Sequence, residues 1–225
     1  METWATLFDR AAAVGVGVDE VSATLAERRD RNRNRAAADG ADTETDGDDT
    51  ADDTADDTTD DADPDRVGDR PEPSPARVVA DADVLAADLL VGDAARDALD
   101  PLRAHSWTTL VASDALLDDA EAVVERLADA DLATAWRATV EAWREPVVQP
   151  PGDHPALASA YRGGAMHVLS FDDRLTAAGT GAGLTDRFPV SVRDPRAFAA
   201  LFDAEKLYPE VGDGAYPGPD RDPRA

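Results

Sequence analysis

Trp4, Leu7, Phe8 and Ala11 recur at helical spacing near the start of the chain. Gly15 and Gly17 interrupt that stripe. Asp19 then stands as an N-cap, and Val21 and Leu25 begin a second stripe with an Arg pair, Arg28 and Arg29, behind it. The spacing predicts a short helical pair over residues 3–29. The second helix runs out in ERRDRNRNR, with five Arg between Arg28 and Arg35. A solvated helix end is the preferred reading of that run, and a phosphate-contacting arm is the sharper one.

From residue 76 to about 205 the pattern changes. ARVVAD is a short apolar strand ending at Asp81, and DVLAADLLVGDAARDALDPLRA reads as one or two helices broken near Gly92. WTTLVAS is a second strand ending at Ser113. Leu116, Leu117, Ala120, Val123, Val124 and Leu127 form one helical stripe, and Leu132, Trp136, Val140 and Trp143 another. EPVVQP is a short strand. Pro155 to Arg162 is a helix with proline in its first turn. MHVLSFD and PVSVRD are two more strands, the latter followed by the helix PRAFAALFD. Short apolar strands alternating with helices predict a parallel sheet covered on both faces, a three-layer α/β/α sandwich.

Between these parts lies a different kind of sequence. From Asp39 to Asp65 there are 14 acidic residues and no basic ones, with near-repeats of ADDT. Such a stretch has little to bury and repels itself, so residues 36–75 are expected to be a disordered acidic linker. The chain thus divides into four parts: an N-terminal helical pair (1–35), the linker (36–75), the sandwich (76–205) and a loose Gly-, Pro- and Asp-rich tail (206–225).

Composition narrows the classes. The formal charge is −26, from 37 Asp and 11 Glu against 21 Arg and one Lys, Lys206. This skew resembles proteins of salt-accumulating halophiles, whose acidic surfaces stay soluble in molar salt, where charges are screened within about 3 Å. The acidity therefore argues only weakly against a nucleic-acid partner. There is no Cys, which excludes disulfides, thiolate metal sites and a Cys nucleophile. No apolar run is long enough for a membrane span, and METWATLFDRAAAVG lacks a charged lead-in before an apolar stretch. A cytoplasmic protein is expected.

Ligands of open parallel sheets bind beyond the carboxyl ends of the strands. Asp81 and Asp83 follow the first strand, and Ser113, Asp118 and Asp119 the second. Asp153 precedes the Pro155 helix, and Asp172 and Asp173 follow MHVLSF. Carboxylates gathered in one crevice repel unless a cation joins them. All-oxygen ligands suit Mg²⁺ or Mn²⁺, which can activate a water for phosphodiester hydrolysis. Because roughly one position in six is Asp, composition and topology alone leave chance placement as open as a metal site.

The series VVADADVL, LVASDALLDDA, DHPALASA, MHVLSFDD and PVSVRDPRAFAALF resembles the PIN domain over Ala76 to about Asp203. The matching positions are Asp81-Ala82-Asp83, Ser113 with Asp119, Asp153 with Ala160, Ser170-Phe171-Asp172, and the closing strand Val190 to Val192 with Phe198. The family usually has Glu at the second acidic position, and Thr and Asn where Ala82 and Asp83 stand. The resemblance implies a Mg²⁺- or Mn²⁺-dependent endoribonuclease acting on RNA. Asp81, Asp119, Asp153 and Asp172 would hold the metal, which positions and deprotonates the attacking water. Asp118 is the neighbour candidate to Asp119, and Ser170 would support the site by hydrogen bonding. Asp83 and Asp173 are secondary, with Asp173 read as the cap of the next helix. Because the family includes members without catalysis, the alternative is a silent module binding RNA or a protein partner. The N-terminal helices are candidates for homodimerisation or for docking such a partner.

The remaining features take plain readings. His105, His154 and His167 are scattered, and His154 stands beside Asp153. Trp136 and Trp143 belong to a core or a dimer face. GTGAG at Gly179 to Gly183 lacks the strand and Lys of a phosphate loop.

Overall fold

A computed structural model describes residues 2–41, 71–150, 152–179 and 189–225. Most of the acidic stretch and most of GTGAG lie outside the described residues. Five parallel strands form one sheet in the order β3-β2-β1-β4-β5: β1 (Ser74–Ala80), β2 (Thr109–Ser113), β3 (Glu145–Val147), β4 (Ala165–Leu169) and β5 (Ser191–Arg193). Arg77 pairs with Thr109 on one side of β1, and Val79 with Val168 on the other. The central strand reads as continuous Val and Ala because both of its faces are covered: Val78, Val79 and Ala80 are fully buried.

Two helices connect β1 to β2, α3 (Ala82–Leu90) and α4 (Asp93–Arg103). Two more connect β2 to β3, α5 (Asp114–Leu127) and α6 (Ala130–Trp143). The chain then reverses direction across the sheet through α7 (Pro155–Gly163) and α8 (Asp173–Gly179). Right-handed crossovers put α3–α6 on one face and α7 and α8 on the other. The expected α/β/α sandwich is the observed fold. Connections leave β1 and β4 toward opposite faces, so the crevice of this topology opens between the carboxyl ends of those two strands. Helix α9 (Pro195–Leu201), capped by Asp194, follows β5.

The N-terminal helices are α1 (Trp4–Ala11) and α2 (Val18–Ala41). They form an outer cover on α3, α5 and α6. This explains why every residue of α3 is buried, including Asp83 and Asp88. Trp4, Leu7, Phe8 and Ala11 are all buried, so the apolar stripe of α1 packs within the chain. Arg103 ties the layers together: it pairs with buried Asp88 and lies 4.0 Å from the Trp4 ring centre.

Two expectations are revised. Helix α2 does not run out near Arg35 but continues to Ala41. The tail expected to be loose folds back: Trp4 N and Ala5 N donate to Ala225 O and Arg224 O, and the Tyr216 hydroxyl lies 2.6 Å from His105 Nε2. The side chains of Tyr208, Tyr216, Asp220 and Asp222 all have partners there. Among the described residues no helix is long and apolar enough to cross a membrane.

Candidate functional site

Asp81 ends β1 and caps α3, its Oδ1 accepting from Ala82 N at 2.8 Å. The helix dipole favours a negative charge there. Asp119 lies one turn into α5 on its inner side, and is buried. Both carboxylates meet a single cation, and it belongs to the protein. Arg29 of α2 donates from Nη2 to Asp81 Oδ1 at 2.7 Å, from Nη1 to Asp81 Oδ2 at 3.3 Å and from Nε to Asp119 Oδ2 at 3.1 Å. Arg28 Nε donates to the other oxygen of Asp119 at 2.8 Å. The Arg run read as a solvated end thus begins inside the acidic site.

The rest of the site is built around Asp81. Ser170, at the end of β4, donates from Oγ toward Asp81 Oδ2 at 3.3 Å, and its Oγ accepts from Asp172 N at 3.1 Å. Asp83 accepts from Phe171 N at 3.0 Å and from Val84 N at 2.7 Å. His154, at the start of α7, places Nε2 3.3 Å from Arg29 Nη1, and its buried Nδ1 has no partner among the described residues.

Charges obey this geometry. Burial opposes the charge of Asp81, but Arg29 outweighs it and holds the carboxyl below its ordinary range. Asp83 is pushed up to about 8 by burial and by the Asp81 charge, so it is protonated at neutral pH. Burial also opposes the Arg29 charge, and Asp81 and Asp119 reverse the balance, raising its pKa. Burial lowers His154, which is neutral at pH 7 and accepts from Arg29.

The other sequence candidates fall in different places. Asp172 lies near enough for its charge to act on His154. Its Oδ1 accepts from Arg174 N at 2.8 Å, so Asp172 rather than Asp173 caps α8. Asp118 points away and pairs with Arg137 at 2.7 Å. Adjacent helical residues differ by about 100°, so Asp118 and Asp119 cannot share a face. Asp153 is exposed, its carbonyl accepting from Gln149 Nε2 at 3.0 Å, and no hydrogen bond or ion pair joins it to the cluster among the described residues. Ser113 caps α5 and donates to Gln149 Oε1 at 3.0 Å. His105 and Trp136 are core residues, and Trp143 packs edge-on against Trp4.

Arg28, Arg29 and His154 join the site from outside the strand-end carboxylates; in sequence His154 stands out only as the neighbour of Asp153, and the arginines only as a solvated end or a phosphate-contacting arm. A signal for the arginines existed. Val21 and Leu25 are buried, and the same helical face continues at positions 28 and 29.

Oxygen donors of this kind suit a hard dication. With α2 docked, however, the guanidinium stands between the two carboxylates, and among the described residues no group of three or more acidic or His side chains is gathered for a metal. Fold and site together define a doubly wound α/β sandwich with an acidic, arginine-neutralised crevice at its topological switch point. The chain belongs to a family of unknown function, DUF7384, whose sequence profile matches residues 72–224. No curated protein and no solved structure matches it.

Proposed function

We propose that the chain is a PIN-like, Mg²⁺- or Mn²⁺-dependent endoribonuclease. The observation that carries this reading is that Asp81 and Asp119, 38 positions apart on different elements, face one positive centre beside the ends of β1 and β4. Asp81 and Asp119 would hold the ion, with Asp172 nearby. When bound, it would supply a water activated at neutral pH and neutralise charge developing on the phosphate. The protein's own groups prepare the place. Ser170 orients Asp81, and Arg29 keeps that carboxylate ionised. Asp83, protonated, adds no third negative charge. Cleavage of RNA with Mn²⁺ in molar salt tests the proposal, comparing wild type with Asp81→Asn. Loss of cleavage in the variant is expected, and equal activity in both would refute the assignment.

A second reading is favoured by one observation, the Arg29 guanidinium in the cation's place. On it the chain is a silent PIN-fold module that binds RNA or a protein partner. Calorimetry separates the two: saturable Mn²⁺ binding lost in Asp81→Asn belongs to the hydrolase alone.

A further inference from the structure

The carboxylates of the site belong to the sandwich, within the residues that match the family. The groups that neutralise them come from α2, outside that match. Asp81 and Asp119 carry two negative charges, and Arg28 and Arg29 carry two positive ones. A dication entering this neutral arrangement would meet Arg29 at contact distance. With Arg29 withdrawn, the two carboxylates would match a dication in charge. Oxygen ligands of Mg²⁺ stand about 2.1 Å from the ion. A guanidinium 2.7 Å from Asp81 Oδ1 and 3.1 Å from Asp119 Oδ2 leaves no room for both.

The part of α2 that carries these charges lies where the burial of the helix ends. Val21, Thr24 and Leu25 are buried. Beyond them Arg28 and Arg29 are half-buried, and residues 30–38 are exposed. An open cleft of about 350 Å³, lined by Thr24, Arg28, Arg31 and Val123, lies between the packed helices α2 and α5. The arginine end can therefore open locally while the first turns of α2 stay in place.

We infer that the arginine end of α2 is a displaceable internal counter-ion: Arg29, with Arg28, and a divalent cation are alternative occupants of the Asp81–Asp119 site. The fold with α2 docked is then the latent form. Cation binding goes with withdrawal of the helix from Arg28 onward. This inference rests on the reading of the crevice as a cation site.

The test is calorimetric Mn²⁺ titration of the full chain as wild type, Arg29→Met and Leu25→Ala, with amide hydrogen exchange of residues 26–38 in wild type with and without Mn²⁺. Leu25→Ala keeps both arginines and loosens their anchor, so the test survives if Arg29→Met does not fold. Arg29→Met should bind Mn²⁺ roughly 5- to 150-fold tighter, the usual range of coupling between two linked sites. Leu25→Ala should bind tighter by a smaller factor, and Mn²⁺ should speed exchange in residues 26–38. Mn²⁺ binding that is lost in Asp81→Asn, yet equal in these three proteins and without effect on exchange, would overturn the counter-ion inference and leave the hydrolase standing. Absence of binding in all three would overturn the hydrolase reading, and the inference with it.

Discussion

Arg29→Met in metal-free buffer removes one side chain from between two carboxylates. Asp81 is fully buried, and the side chains of Asp119 and Arg29 are 9% and 17% exposed. Taking one partner from a buried pair costs about 3–5 kcal/mol, because the remaining charge keeps its desolvation penalty. Here the end of α2 can lift and let water reach Asp81, which limits the loss to the lower value, about 3 kcal/mol. For a chain of this size that is roughly 6–12 °C in melting temperature. Thermal and urea unfolding with a chelator present would measure it, in a double-mutant cycle with Asp81→Asn. The double variant should be less destabilised than the sum of the singles, with a coupling of about 2 kcal/mol. Molar salt should leave most of that coupling, since buried pairs are screened little. The Arg137–Asp118 pair, whose Asp is 58% exposed, should show about 0.5 kcal/mol or less in the same medium. Additive single effects would refute the claim that Arg29 holds the site together.

Two other outcomes are expected. Asp83 is raised to about 8, so the folded chain keeps a proton that the unfolded chain has lost above pH about 4. Wild-type stability relative to Asp83→Asn should therefore fall as pH rises from about 5 to 8, by up to about 1.4 kcal/mol per unit; a flat difference in urea titrations across that range would count against it. Gly163 passes so close to β2 that an added Cβ would overlap Val111 Cγ1. Gly163→Ala should cost about 1–3 kcal/mol by overpacking, and Val111→Ala in the same chain should recover part of it; no loss of stability would show that the contact is slack.

The sandwich was readable because its strands are short apolar runs with clear ends. Val78 to Ala80 and Val168 to Leu169 carry no polar residue that would permit an exposed face. The acidic residues at strand ends were readable for the same reason, since topology fixes where a strand must stop. The side-chain directions were not. Asp118 and Asp119 are chemically identical, and only the packing of α5 separates them. Asp172 and Asp173 differ by one step in where α8 begins, below what periodicity resolves. The arginine end of α2 reads as solvated because its run of Arg, Asn and Asp has the composition of exposed sequence. What places Arg29 is a long-range match of charge with residues 52 and 90 positions away. The face of Val21 and Leu25 continues at positions 28 and 29, but nothing in that local pattern names the distant carboxylates as partners.

The buried first turns of α2, backed by the clamp on α1, govern how far the arginines can travel once they let go. Arg103 and the C-terminal backbone hold that first helix independently of the acidic crevice, and only the turn around Gly15 and Gly17 separates it from α2. A leash this short keeps the released guanidinium groups at an effective concentration of the order of millimolar. Re-docking would thus be unimolecular, indifferent to dilution. A free arginine-rich peptide would have to reach that concentration before it could take their place.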